Sequence, residues 1–250
     1  MQEKIHTIPV VESFEAGQEC PFCHLERDTD QRAIRYFAGP SASYMEPGIR
    51  GITNREGFCP GHLKKLYDYG NPLGAALMMQ THCEDILLEL HQQLENYEIP
   101  QKKSIFNRKK QENTPDYPAH LMERVGRCAI CDQVEDNMNR QYRVFFTLLK
   151  EPEFRQMIEG CKGFCLPHFA RLLQEAKAHL ASADAKWFYD TVYPVMEENL
   201  TRVKEDLDWL IAKYDYRNAG ADWKNSKDAL QRMAQKLGGG YVADGPYRKD

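Results

Sequence analysis

The residues best suited to chemistry in this chain are cysteines and histidines that occur in two similarly spaced sets. In each set a CxxC motif is followed by a CxxH motif about 35 residues later. Three thiolates and one imidazole are a donor set that tetrahedral zinc takes. The spacing therefore predicts two metal sites, one formed by Cys20, Cys23, Cys59 and His62 and the other by Cys128, Cys131, Cys165 and His168.

The spacing also indicates what such sites do. Two cysteines separated by two residues can turn both sulfurs toward one ion, and a CxxH in the first turn of a helix places its thiolate near free backbone N–H groups. Four protein ligands leave no position for water or substrate, so we expect two structural zinc ions per chain. An iron–sulfur cluster is the alternative cofactor, because thiolate-rich sites suit iron as well as zinc.

Two other interpretations of the cysteines are weaker. Cys20-Pro-Phe-Cys23 resembles the redox motif of glutaredoxin-type proteins, but that fold needs a β-sheet and no strand pattern is visible. A disulfide framework is typical of small secreted chains. Of the remaining cysteines, we expect Cys83 to pack as a small apolar residue on a helix and Cys161 to lie beside the second site without binding.

The similarity between the two sets extends beyond the motifs. A shift of 108 residues aligns Asp28, Arg32, Arg35 and Phe37 with Asp136, Arg140, Arg143 and Phe145, and a shift of 106 aligns Gly57, Phe58 and Leu66 with Gly163, Phe164 and Leu172. We therefore expect two pseudo-symmetric helical repeats. Because closing a shorter loop costs less entropy, we also expect each repeat to keep its four ligands to itself. Spacing leaves one alternative open, in which Cys20 and Cys23 share a metal with Cys165 and His168.

Hydrophobic periodicity predicts an all-α fold. Apolar residues recur at helical spacing over 132–149, over 72–97 and from about Ala183 to Tyr214, with Pro194 expected to kink or interrupt the last helix. Ser226 is a suitable N-cap for a final helix that ends at three glycines. We expect a first repeat over 1–97, a Pro-containing basic linker over 98–118, a second repeat over 119–215, and a C-terminal helix with a loose tail over 216–250.

Composition restricts the class of protein. A chain of 250 residues that is 42% hydrophobic is typical of a folded globular protein, and its net charge of −4 gives no overall attraction to nucleic acid. No apolar run approaches the ~20 residues of a membrane span, and the N-terminus lacks the apolar segment of a secretory signal. We therefore expect a cytoplasmic protein without membrane insertion, in which reduced cysteines serve as ligands.

The duplicated CxxC and GFCxxH motifs, together with Tyr214-Asp-Tyr-Arg-Asn and Trp223-Lys-Asn-Ser-Lys-Asp, resemble a bacterial family that is defined as a domain of unknown function. The resemblance covers nearly the whole chain. It implies the eight motif residues already identified, and it implies no particular activity.

Three functional classes follow from these observations. The first is a zinc-stabilised helical protein that binds a protein partner as an adaptor or regulator, and the absence of known catalytic motifs favours it. The second is a redox or electron-transfer protein that uses iron–sulfur clusters or labile zinc thiolates. The third is an enzyme with an anion site between the repeats, which requires Arg32, Arg35, Arg140 and Arg143 to point inward.

Overall fold

The computed structural model describes residues 5–41, 43–95 and 117–243, which form helices joined by short connections and contain no strand. The all-α prediction is confirmed. None of these helices is both long and apolar enough to cross a bilayer. The helices are α1 (Ile8–Glu15), α2 (Pro21–Ala38), α3 (Pro47–Glu56), α4 (Pro60–Asp68), α5 (Pro72–Glu95), α6 (Tyr117–Gly126), α7 (Ala129–Leu148), α8 (Pro152–Glu159), α9 (Leu166–His179), α10 (Ser182–Ala212) and α11 (Ala229–Gly238).

The described residues divide into two compact units. The larger unit contains the residues up to Thr29 and those from Glu135 onward, and the smaller unit contains those between Asp30 and Val134. The two boundaries lie within α2 and α7, so neither unit coincides with one sequence repeat. The predicted linker lies almost entirely outside the described residues, and only its last two positions are seen, at the start of α6.

Aromatic side chains form the core of the larger unit. Phe22, at the start of α2, stacks on Tyr142 of α7 with ring centroids 4.7 Å apart. Phe145, one turn further along α7, makes edge contacts with Phe22 and Phe154. Aromatic rings bury large apolar areas and add specific edge and stacking contacts, so this cluster fixes the start of α2 against α7.

The structure answers two points of the sequence prediction in the C-terminal helices of the larger unit. Helix α10 continues through Pro194, so of the two predicted effects, a kink or an interruption, the interruption does not occur. Helix α11 begins after Asp228, because Ser226 does not cap it and its hydroxyl donates to the carbonyl of Trp223 at 2.6 Å. Ser226 closes the preceding turn, a use that competes with capping for serine side chains.

The core of the smaller unit is formed by α2, α4, α5 and the start of α7. Its fully buried side chains include Ile34 and Phe37 of α2, Leu66 of α4, Met78 of α5 and Ile130 of α7. Ile130 occupies one of the two positions between the cysteines of the second CxxC. Burial of this side chain therefore anchors one of the sequence motifs to the core.

Helix α5 is buried over a shorter length than its periodicity predicted. Its buried residues are Gly74, Ala75 and Met78, close to its N-terminus. Leu87, Leu90 and Leu94 are exposed, and so is Cys83, which means that the predicted packing of Cys83 in a core is wrong. Periodicity identifies an apolar stripe but does not show how far neighbouring elements such as α3 cover it.

Candidate metal centres

The structure brings the eight predicted ligands together as two groups, but it pairs the motifs differently from the prediction. Cys20 and Cys23 of the first repeat join Cys165 and His168 of the second. This group is named the buried cluster. The open cluster contains Cys59 and His62 of the first repeat with Cys128 and Cys131 of the second. The prediction that each repeat keeps its own ligands is wrong.

Chain entropy explains why sequence spacing failed to decide the pairing. Cys23 and Cys165 are 142 residues apart, roughly four times the separation of Cys23 and Cys59. Each doubling of a loop costs only about 0.6 kcal/mol, so the longer closure costs about 1.2 kcal/mol. Burial of one aromatic side chain such as Phe22, which is inaccessible to solvent, contributes about 1.5–3 kcal/mol. Core packing therefore outweighs the difference in loop length.

Each CxxC motif lies at the beginning of a helix. Helix α2 starts immediately after Cys20, and α7 starts immediately after Cys128. The backbone N–H of Cys23 points at the sulfur of Cys20 at 3.4 Å, and the N–H of Cys131 points at the sulfur of Cys128 at 3.5 Å. Free N–H groups of a first helical turn thus stabilise negative charge on the first sulfur of each motif.

Each CxxH motif follows a glycine with a positive φ angle. The φ angle is 59° at Gly57 and 73° at Gly163, a region that favours glycine. Cys59 and Cys165 then have extended conformations and precede α4 and α9, which have proline in their first turns. A side chain at Gly57 is unfavourable for a second reason besides the positive φ angle, because its Cβ atom would lie 2.6 Å from the ring of His82.

The buried cluster is enclosed by the larger unit. The sulfur of Cys165 lies 3.0 Å from Nδ1 of His168 and 3.5 Å from the sulfur of Cys23. The sulfur of Cys20 lies 3.6 Å from the same Nδ1 atom. The three cysteines are at most 1% exposed, and His168 is 7% exposed.

The open cluster has similar dimensions but lies nearer the surface of the smaller unit. Nδ1 of His62 lies 3.2 Å from the sulfur of Cys128 and 3.3 Å from the sulfurs of Cys59 and Cys131. The sulfurs of Cys59 and Cys131 are 3.8 Å apart. Cys128 is buried, whereas Cys59 is half-buried and Cys131 is exposed.

These separations fit a single tetrahedral ion at each cluster. Zn–S bonds of about 2.3 Å and Zn–N bonds of about 2.0 Å give tetrahedral edges of about 3.8 Å between sulfurs and about 3.5 Å between sulfur and nitrogen. Disulfides are ruled out by the same distances, since bonded sulfurs lie about 2.05 Å apart, and all eight cysteines are free. In each group the ligand atoms lie within 4.8 Å of one another.

The charges of the donors are consistent with a cation between them. Burial opposes ionisation of Cys128, but its hydrogen bonds with His62, Cys59 and Cys131 lower the pKa of this thiol to about 6. Burial and the neighbouring charge of Cys128 raise the pKa of Cys131 well above its usual value. Several thiolates in one small space repel one another, so a divalent ion is the group that would allow all three to ionise.

An outer layer of polar side chains orients the histidines. Nε2 of His62 lies 2.7 Å from Oδ1 of Asp30, whose other oxygen accepts from the ammonium of Lys65 at 2.7 Å. Burial favours neutral His62, but its hydrogen bonds with Asp30 and Cys128 dominate and raise the pKa of His62 to about 10. His168 has a looser counterpart, since its Nε2 lies 3.5 Å from a carboxylate oxygen of Glu26. Carboxylates in this position fix the ring and leave Nδ1 for the metal.

The larger unit also contains a buried lysine that sequence analysis missed. Lys236 of α11 is inaccessible to solvent, and its ammonium donates to the carbonyls of Glu19 and Lys162. Glu19 immediately precedes Cys20, and Lys162 lies three residues before Cys165, so one side chain ties both ligand loops of the buried cluster together. Neither Asp30 nor Lys236 has a repeat equivalent or a ligand-like spacing that would have revealed it.

Other sequence-predicted residues lie outside the two clusters. Cys161 is not among the grouped ligands, as expected, and its sulfur accepts the N–H of Gly163 at 3.3 Å. The proposed anion site required four inward-pointing arginines, and the structure contradicts it. All four of these arginine side chains are exposed to solvent: Arg32, Arg35, Arg140 and Arg143.

Comparison with known proteins assigns the chain to one family. The chain belongs to the family of unknown function DUF6062, which it matches over residues 1–244. A relative from Caldicellulosiruptor sp. (strain Rt8B.4), described as an uncharacterized 23.9 kDa protein in the xynA 3' region, is 22% identical over 228 residues. That alignment covers 90% of this chain and 96% of the relative. No solved structure matches the chain.

Proposed function

We propose that this DUF6062 chain is a zinc-binding helical protein that carries one structural zinc ion in each cluster. The observation that carries the proposal is the presence of two complete Cys3His groups, each compact enough to surround one ion. Four protein donors satisfy tetrahedral zinc and leave no open position for a substrate. When bound, zinc supplies a fixed positive charge and folding energy and adds no redox chemistry.

The donor geometry favours zinc over an iron–sulfur cluster. In a two-iron cluster each iron has its own pair of protein ligands, and in a four-iron cluster each iron has one, so the four donor atoms are spread over several metal centres. Here all four donor atoms of each group lie within 4.8 Å of one another, as expected for ligands of one ion. Each group also contains an imidazole, a donor that zinc accepts readily.

The zinc ions hold together chain segments that are distant in sequence. In each cluster the CxxC and CxxH motifs come from different repeats. The ion would therefore join the first turns of two helices that are distant in the sequence. Such a framework is suited to presenting a surface rather than to catalysis. We therefore place the protein among cytoplasmic adaptors or regulators that bind a protein partner.

Exposed apolar side chains in the smaller unit support a binding role. Leucines of α5 and two residues of α6 are solvent-accessible although they are large and apolar. We infer that these side chains contribute to an interaction surface, since large apolar patches exposed to solvent are typical of such surfaces. These side chains are Leu87, Leu88, Leu90, Leu94, Met122 and Val125.

Metal analysis of the protein purified without oxygen tests the proposal. We expect two zinc ions per chain and no stoichiometric iron or acid-labile sulfide. A double variant with Cys59→Ser and Cys165→Ser provides the control, since it removes one ligand from each cluster and should bind less zinc. One metal or none in the unmodified chain, or iron with sulfide, would contradict the proposed zinc protein.

A further inference from the structure

The two clusters differ in how easily a solute can reach their sulfurs. In the buried cluster Cys20 and Cys165 are inaccessible and Cys23 is 1% exposed. In the open cluster only Cys128 is buried to that degree, while Cys59 is half-buried and Cys131 is exposed. Reaction of a cysteine with a dissolved electrophile or oxidant requires both thiolate character and access.

Specific contacts cover the buried cluster. The ring of Phe22 lies over the imidazole of His168 with centroids 5.8 Å apart, and it is itself stacked on Tyr142. The end of α11 lies beside the cluster, since a Cβ atom on Gly239 would be 3.5 Å from the sulfur of Cys165. A reagent can reach these sulfurs only if this part of the larger unit opens.

We propose that the Cys59 and Cys131 pair of the open cluster is a modification site for two-electron oxidants of the hydrogen peroxide class, and that its oxidation releases the ion of that cluster. The inference rests on the proposed function, because it treats both sulfurs as zinc thiolates. Their Sγ atoms are 3.8 Å apart, so bond formation at about 2.05 Å requires an approach of less than about 2 Å.

The oxidation is balanced in two steps. The exposed sulfur of Cys131 attacks one peroxide oxygen, the O–O bond breaks, and the sulfur becomes a sulfenic acid while hydroxide leaves. The sulfur of Cys59 then attacks the sulfenic sulfur, forming the S–S bond and expelling a second hydroxide. The two thiolates lose two electrons in total, peroxide gains them, and the hydroxides take protons from solvent to become water.

The open cluster loses half of its ligands in this reaction. Cys128 and His62 remain, and two donors hold zinc far more weakly than four. The buried cluster keeps its complete set, because its sulfurs are shielded from peroxide. One chain thus contains a permanent zinc site and an oxidant-sensitive one.

Peroxide treatment of the zinc-loaded protein tests this division. Zinc release is followed with a chromogenic chelator, and disulfides are mapped by peptide mass spectrometry after the free thiols are blocked. We expect one zinc ion per chain to be released at least about tenfold faster than the other. The first disulfide should join Cys59 and Cys131.

Two variants sharpen the test. Cys131→His keeps four zinc donors in the open cluster but removes the sulfur that reacts first, so peroxide should no longer release the fast zinc. Cys83→Ser removes an exposed thiol that belongs to neither cluster and should release zinc as the unmodified chain does.

Several results would overturn the inference. These are release of both zinc ions at similar rates, a first disulfide that involves Cys20, Cys23 or Cys165, or unchanged fast release from Cys131→His. Absence of zinc before peroxide treatment would instead contradict the proposed function. Disulfide mapping does not depend on bound zinc, so it still tests whether Cys59 and Cys131 react first.

Discussion

Nε2 of His62 lies 2.7 Å from Oδ1 of Asp30, an aspartate seven residues beyond Cys23 that contributes no ligand to either cluster. The contact fixes the imidazole so that Nδ1 points to the sulfurs of Cys59, Cys128 and Cys131. It makes Asp30 a positioning residue for the open cluster.

Asp30→Asn should weaken zinc binding at the open cluster by about 10–100-fold, because the amide supports the ligand histidine less well than a carboxylate. Zinc affinity is measured by competition with a chelator of known affinity. Asp68→Asn is the matched control, since Asp68 pairs with Lys64 on the surface of the same unit. Equal affinities of the two variants would show that Asp30 does not position His62.

The same contact predicts a pH dependence of stability for the zinc-free protein. The pKa of His62 is raised from 6.5 to about 10, so its stabilising contribution is complete below about pH 6.5 and is lost as the pH rises through about 10. The lowered pKa of Cys128 contributes with the opposite sign between about pH 6 and its usual pKa of 9.0, so the free energy of unfolding with chelator present should fall chiefly as the pH rises through about 10. His62→Gln should reduce that fall, and an unchanged pH profile would contradict the prediction.

Loss of a ligand should destabilise the protein far more than loss of another cysteine. Cys59→Ser and Cys165→Ser should each lower the free energy of unfolding by more than about 3 kcal/mol, because metal binding contributes directly to folding. Cys83→Ser should cost less than about 0.5 kcal/mol, since this side chain is exposed. The loss in free energy of unfolding caused by Cys161→Ser should lie between these values, because the sulfur of Cys161 accepts one backbone N–H.

The measurement is chemical unfolding with and without chelator. Chelation should abolish most of the difference between ligand variants and the unmodified chain, since both then lack zinc. Equal stabilities of all four cysteine variants in the presence of zinc would overturn the ligand assignment.

Lys236→Met should destabilise the larger unit and loosen its buried cluster. The change leaves the carbonyls of Glu19 and Lys162 without their shared donor, and we expect a loss of about 3 kcal/mol. Zinc should also leave this cluster faster when chelator is added. Lys186→Met is the control, because Lys186 is an exposed residue paired with Asp190, and a similar effect of both changes would count against this role.

The sequence alone was sufficient to predict the helical structure and which eight side chains belong to the two groups, because both depend on local patterns. CxxC and CxxH spacing identified the eight grouped side chains, and apolar periodicity placed helices close to the observed α5, α7 and α10. The start of the last helix differs from the prediction because Ser226 uses its hydroxyl in a turn and does not cap the helix. The sequence also did not show how many turns of α5 are buried, since that depends on which other helices cover it.

The pairing of motifs could not be predicted from spacing because the competing loop entropies differ by only about 1.2 kcal/mol. Burial of Phe22 within the first CxxC and of Ile130 within the second involves contacts between distant segments. Asp30 and Lys236 acquire their roles only through those contacts. Residues that support the ligands in this way can be identified only once the three-dimensional contacts are known, since the motifs do not contain them.

We propose that each metal ion joins the CxxC of one repeat to the CxxH of the other. Proton–cadmium correlation NMR of the cadmium-substituted protein tests it most directly, because coupling through the metal–sulfur bonds identifies which cysteines share an ion. We expect one cadmium signal to correlate with Cys20, Cys23 and Cys165, and a second to correlate with Cys59, Cys128 and Cys131. Correlation of Cys20 and Cys23 with the same cadmium as Cys59 would contradict the account.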